Sequence, residues 1–348
     1  MHIESFLAAR TVRRTSLWLA GAAVAMTALL GLSAHAQDLV LYTSQPNSDA
    51  QSTVDAFQKA YPGIKVEWVR DGTTQLMTRL EAEMNAGAVK PDVLLIADSV
   101  TMASLKARDL LQPYLSPART GYDAALYDAQ GYYYGTKLIT TGIAYNTRAA
   151  VKPASWQDLA RPELKGQVTM PSPLYSGAAL IHLATLTGAP GLGWNYYEQL
   201  KNNGATAQGG NGGVLTAIAS GTKPYGVLVD YMAVREKAKG APVEFVFPTE
   251  GVSMVTEPVA ILKSAKHADA ARKFVDFVLS KPGQELVSKQ GYVPALEGVA
   301  MPDGFPSRSQ IKLMAFDADQ ALKNAEADKQ KFGQLYGCLL YTSPSPRD

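Results

Sequence analysis

The chain is 348 residues long, with 33 lysines and arginines against 31 aspartates and glutamates and a formal net charge of +2. That length supports two domains of ordinary size, and the near-neutral balance leaves no electrostatic footprint for nucleic acid. With Cys338 as its single cysteine, the chain cannot be a fold stapled by internal disulfides.

Arg10, Arg13 and Arg14 precede an apolar run over 17–32, and Ala-His-Ala follows at 34–36. This pattern predicts a secretory signal peptide over 1–36, cleaved before Gln37, that sends the protein to the periplasm. The run is shorter than the ~20 residues a spanning helix needs. The stretch RRTSL hints at twin-arginine export but lacks the phenylalanine usual after the arginine pair, so export as unfolded chain stays open.

In LVLYTSQPNSDAQ, residues 39–51, an apolar strand gives way abruptly to hydroxyls and amides. Ser48 and Gln51 stand at capping-box spacing ahead of a helix expected over 48–61, with Val54, Phe57 and Ala60 on one face. A second strand starts at Lys65, and a helix over 73–86 carries the stripe Leu76, Leu80 and Met84. The third strand, PDVLLIADS over 91–99, is nearly all apolar, as a parallel strand buried on both faces should be. This alternation predicts a parallel sheet wrapped by helices. Ligands of such sheets sit beyond the carboxyl ends of the strands, here 43–44, 70–72 and 97–99.

A second unit follows GYYYGTKLITTGIAYNT, with the strand QVTMPSP and the helices SGAALIHLATLTG and GWNYYEQLKNNG. The loop GGNGG then leads into a helix from Val214, and the strand YGVLVDY follows. Strand character returns over 250–262, before an amphipathic helix over 267–279 and further helices. The expected fold is α/β and two-lobed, each lobe a sheet wrapped by helices, joined by a hinge of two crossings. Lobe 1 would take 37–140, lobe 2 would take 141–252, and 253–337 would return to lobe 1 with the C-terminal helices. From Cys338 the helical pattern stops, and CLLYTSPSPRD reverse-translates into a transposase-end sequencing adapter. Residues 338–348 are therefore read as an artefact.

In order and spacing, LYTSQPN, AYPGIKVEWVRDGT, PDVLLIADS, GTKLITTGIAYNT, SGAALIHLATL, VDYMAVREKAKGAPVEFVFPTEG and EPVAILKSAKHADAARKFVDFVLSKPGQELVSKQGYVP mark a resemblance. Over 38–337 the chain resembles the type II periplasmic solute-binding proteins of ABC importers, in their ferric-ion and organophosphate branch. The resemblance implies capture of a small solute in the periplasm and delivery to an inner-membrane permease, without catalysis.

The candidate site residues fall into two groups. Thr43, Ser44 and Asn47 bring hydroxyls and an amide to free helix N–H groups, which can hold an anion without lysine or arginine. The plain alternative is that Asn47 or Ser48 only caps the helix. Ser99 repeats the arrangement beyond the third strand, Ser176 and Gly177 open a helix across the cleft, and Thr141 stands where the chain crosses between lobes. Converging there, these donors would suit a phosphate or phosphonate. Asp230 and Glu250 each end a strand-like run and could read the far end of the ligand together with Tyr231. The resemblance implies acidic residues in this region that grip sugar hydroxyls, and a pair would equally serve an ammonium group. A surface salt bridge with Arg235 or Lys237 is the alternative.

The resemblance implies two adjacent tyrosines in ferric relatives where this chain has VDYM, so Tyr231 would be one metal ligand should ferric ion be the cargo. The runs Tyr132 to Tyr134 and Tyr196-Tyr197 read as core filler. His182 lies in an apolar helix, His267 at a helix start, and no GxSxG, HExxH or GxxxxGK[ST] occurs. The expectation is a monomeric binding protein with no cofactor and no nucleic-acid partner, taking a small anionic solute to its permease. Ferric-ion capture is the first alternative, and a periplasmic hydrolase the second.

Overall fold

The computed structural model describes residues 37–337; the expected signal peptide over 1–36 and the adapter-like stretch 338–348 lie outside them. The chain begins β1 (Gln37–Thr43), α1 (Asn47–Ala60), β2 (Ile64–Arg70), α2 (Thr73–Asn85), β3 (Val93–Leu95), α3 (Ser99–Ala107), β4 (Leu111–Gln112) and β5 (Tyr134–Gly135). The middle runs β6 (Lys137–Asn146), β7 (Val168–Met170), α4 (Gly177–Thr187), α5 (Gly193–Asn202), β8 (Thr206–Ala207), α6 (Asn211–Ser220), β9 (Tyr225–Val229), α7 (Asp230–Ala238), β10 (Val243–Val246) and β11 (Ser253–Val255). It ends with β12 (Pro258–Leu262), α8 (Ala268–Leu279), α9 (Lys281–Lys289), β13 (Val293–Pro294) and α10 (Ala318–Tyr336).

These elements form two sheets. The first has the order β2-β1-β3-β12-β4, with β5 on β12. Its β1, β2 and β3 are parallel, and β12 closes antiparallel on β3. All three residues of β3 are buried, matching the apolar run read from the sequence. The second sheet has the order β10-β6-β9-β7-β8, with β11 and β13 also on β6. There β6 is antiparallel to β9, β10, β11 and β13. Each sheet has its own core: Leu39, Leu41, Phe57 and Phe274 fill the first, and Trp156, Tyr196, Tyr197 and Leu200 the second.

The capping box does not form. Pro46, with φ −53°, is the N-cap of α1 and starts the helix at Asn47. Ser48 is thereby carried inside the first turn, where its hydroxyl meets Asp49 Oδ1 at 3.3 Å, and Gln51 reaches Asp55 instead.

The chain passes between sheets twice through strands. It goes from β5 to β6 at Thr136 and from β11 to β12 at Thr256 and Glu257. The two crossings are bonded together: Thr136 N and Lys137 N donate to Thr256 O at 2.9 and 3.2 Å, and Thr136 Oγ1 donates to Glu257 O at 2.8 Å. Because β11 pairs with β6, the second lobe runs through Val255, and the return begins at Thr256 rather than at 253. The C-terminal helix also goes back to the second lobe, where Phe332 and Tyr336 join the Trp156 core. Among the described residues no helix is long and apolar enough to cross a membrane.

Candidate functional site

Between the lobes lies a cavity of about 540 Å³, lined from the first by Ser44, Pro46, Arg70, Gly72 and Thr73, and from the second by Tyr175, Ser176, 209–213, Val229, Tyr231 and Met232. Glu257 reaches it from the crossing. Five helices begin at this wall: α1, α2, α4, α6 and α7. A helix start leaves backbone N–H groups without partners, and a side-chain cap normally serves one of them. Here only α4 has one, Ala179 N donating to Ser176 Oγ at 3.3 Å. The N-cap residues of α1, α2 and α6 are Pro46, Gly72 and Gly210, and none makes a side-chain cap. On α7, Asp230 sits in the first turn and accepts from Tyr231 N at 2.6 Å.

Around these ends stand further donors. Thr73 is buried, and its Oγ1 has no hydrogen-bond partner. Arg70 is exposed, with Nε donating to Gln45 O at 2.9 Å, so the fork of its guanidinium is steadied at one end. Such an arrangement of oriented N–H groups, a free hydroxyl and one arginine attracts an oxyanion.

The lobes meet closely beside the cavity. A Cβ added at Gly72 would lie 2.6 Å from Tyr175 O, and one at Gly177 would lie 2.7 Å from Asp98 Oδ2 and 2.9 Å from Thr73 Oγ1. Tyr175 donates from its hydroxyl to Asp71 Oδ1 at 3.3 Å. Deeper in, Arg235 Nη1 of the second lobe donates to Asp49 Oδ2 of the first at 2.9 Å. The guanidinium lies over the rings of Tyr231 and Tyr292.

Of the residues singled out from sequence, Ser44, Ser176 and Tyr231 line the cavity. Ser44 Oγ accepts from Ala97 N at 2.9 Å, which leaves its O–H free to donate. Thr43 is fully buried and turns inward, its Oγ1 accepting from Gln45 N at 3.2 Å. Ser99 is half-buried in the first turn of α3, a helix capped by Asp98. Thr141 is buried inside the second sheet, and Asn47 is exposed outside the cavity. Gly177 serves as the close contact to Asp98.

The two carboxylates are occupied elsewhere. Asp230 Oδ2 accepts from Thr140 N at 2.9 Å and Thr140 Oγ1 at 2.7 Å, and burial pushes its pKa up to about 6. Glu250 accepts from Trp156 N at 3.1 Å, outside the cavity wall. Burial raises the Tyr231 phenol above its ordinary range. His182 is buried against Trp156, its Nδ1 3.0 Å from Ser253 Oγ, while His267 reaches the buried Asp92, outside the cavity. Sequence reasoning placed 70–72 at a ligand-facing strand end without singling out Arg70 as a site residue, and it named no role for Thr73, Tyr175, Asn211 or Glu257. Arg70 and Thr73 had a signal, standing at the end of the second strand and the start of the helix after it.

Two α/β lobes that close over a cavity walled by helix N-termini from both sides define a solute-binding clamp. The chain belongs to the bacterial extracellular solute-binding protein family, whose pattern matches residues 88–324. The solved structure of the periplasmic binding protein AfuA from Actinobacillus pleuropneumoniae, with exogenous fructose-6-phosphate bound, superposes with a TM-score of 0.80 at 25% identity, over 87% of this chain and 99% of that one. A putative aminoethylphosphonate-binding periplasmic protein of Salmonella typhimurium is 26% identical over 76% of each chain. Iron uptake protein A1 of Synechocystis sp. is also 26% identical, over 79% of this chain and 81% of its own. The protein is thus an extracytoplasmic solute-binding component of the ABC importer type.

Proposed function

We propose that this protein captures a small solute bearing a phosphate or phosphonate group and presents it to an inner-membrane permease. The observation that carries the reading is the wall itself: the uncapped starts of α1, α2 and α6, the unpartnered Thr73 Oγ1, and Arg70 in the same cavity. Unserved N–H groups and a cation favour an oxyanion and oppose a metal ion. Ser44 and Ser176 add hydroxyls from opposite lobes, so the bound anion bridges them and favours closure. The sugar phosphate bound to AfuA and the phosphonate in the name of the Salmonella relative agree in chemistry.

A thermal-shift screen over inorganic phosphate, glycerol phosphate, aminoethylphosphonate and ferric citrate tests this. At about 100 times the dissociation constant, binding adds about 2.7 kcal/mol of stability. Arg70→Gln and Ser44→Ala should each weaken the best phosphorus ligand, and loss of one charge-assisted bond is worth roughly 10- to 150-fold. Stabilisation by ferric citrate alone would overturn the reading.

A further inference from the structure

We propose that the ion pair between Lys137 and Glu257 sets the charge selectivity of the cavity: it admits a solute whose far end carries uncharged hydroxyls and turns away ammonium groups and metal cations. The inference rests on the anion reading above.

Glu257 is the only carboxylate among the described residues that line the cavity. It is 3% exposed, and it is a non-glycine residue at φ 40°. Such a conformation persists where surrounding structure imposes it, and it clusters at functional sites. Here it lies at the second crossing between sheets, so the same residue turns the backbone and offers its side chain to the cavity. Its carboxylate is already compensated. Lys137, 1% exposed at the start of β6, forms the ion pair, and Gln45 Nε2 donates to Oε2 at 3.2 Å. The lysine ammonium also rests 4.3 Å from the centre of the Tyr292 ring.

A carboxylate has about four lone-pair sites, and these two partners leave others for a ligand. Hydroxyl groups can donate to them without adding charge. An incoming ammonium would share a carboxylate that is already neutralised and would face the like charge of Lys137 at close range. Acids just behind the lining are also engaged: Asp230 accepts from Thr140 and Tyr231, Asp71 from Gly72 N and Tyr175, and Asp49 from Arg235. The cavity therefore offers no uncompensated negative charge from its lining.

Titration calorimetry with glycerol phosphate, aminoethyl phosphate and phosphoglycerate tests the pair, because the three share a phosphate and differ in the charge of the far end. The wild-type protein should prefer glycerol phosphate to aminoethyl phosphate by roughly tenfold or more. Lys137→Met frees the carboxylate and should move that ratio towards aminoethyl phosphate by roughly tenfold. Glu257→Gln frees the ammonium and should move preference the opposite way, towards phosphoglycerate. Each ratio is taken within one variant, so a general loss of affinity cancels, and far-UV circular dichroism checks folding. If Lys137→Met does not fold, Glu257→Gln decides alone. Unmoved ratios in folded variants, or a wild type that prefers aminoethyl phosphate, overturn the selectivity claim while leaving the anion site standing. Failure of the wild type to bind any of the three brings down the anion reading, and this inference with it.

Discussion

His182 and Asp230 are buried groups whose protonation pulls stability in opposite directions as the medium becomes acidic. Burial holds the His182 imidazole down to about 3, against about 6.5 in the unfolded chain. The folded protein therefore favours the neutral ring, and stability is lost as pH falls below the unfolded value. Between about pH 7 and pH 5 that loss comes to about 2 kcal/mol. Burial raises Asp230 to about 6, against about 3.9 unfolded. Its folded form binds the proton more tightly, so stability is gained as pH falls through the same window, by about 1 kcal/mol. In the wild type the gain offsets only part of the loss, leaving a net loss of about 1 kcal/mol. His182→Gln removes the loss, so its stability relative to wild type should rise by about 2 kcal/mol on going from about pH 7 to pH 5. Asp230→Asn removes the gain and should fall relative to wild type by about 1 kcal/mol. Urea unfolding of the three proteins at both pH values gives the comparison directly. Parallel curves for His182→Gln and wild type would show that the imidazole reaches water in the folded state, and the argument from burial would fail.

Gly177→Ala places a methyl group 2.7 Å from Asp98 Oδ2; it should hold the lobes apart, weaken phosphate-ester binding tenfold or more, and enlarge the radius of gyration in solution scattering with ligand present. Unchanged affinity would show that the lobes can shift to accept it. Glu250→Ala removes the acceptor for Trp156 N and should cost about 1 kcal/mol of stability, with binding by calorimetry unaltered. Ferric salt should produce no visible phenolate band, because burial keeps the Tyr231 phenol protonated; a band abolished by Tyr231→Phe would contradict this.

Much of the scaffold was legible because its signals are local. The apolar run of β3 matched a doubly buried strand, and the Ser-Gly pair at 176–177 marked the start of α4, where the structure makes Ser176 the cap. The site was legible only in part. Ser44 follows a strand end and faces the cavity, but its neighbour Thr43 alternates to the other side and is buried. Pro46 changed where α1 begins, and with it the role of Ser48. Asp230 could have pointed either way from its strand end; Thr140, on a strand distant in sequence, took it. Glu257 carried no local mark at all, since its place depends on where two crossings meet and on a lysine far away in the chain.

The position of α10 bears on how the clamp can move. Phe332 and Tyr336 fasten its far end into the second lobe, while its near end, at Ala321 and Leu322, packs with Val100 of the first. Two strands bonded side by side would let one lobe both bend and swivel on the other. A third contact, set off from that pair and touching both lobes, should restrain the swivel and favour rotation about one axis. The residues around the cavity would then meet the same facing partners each time it shuts.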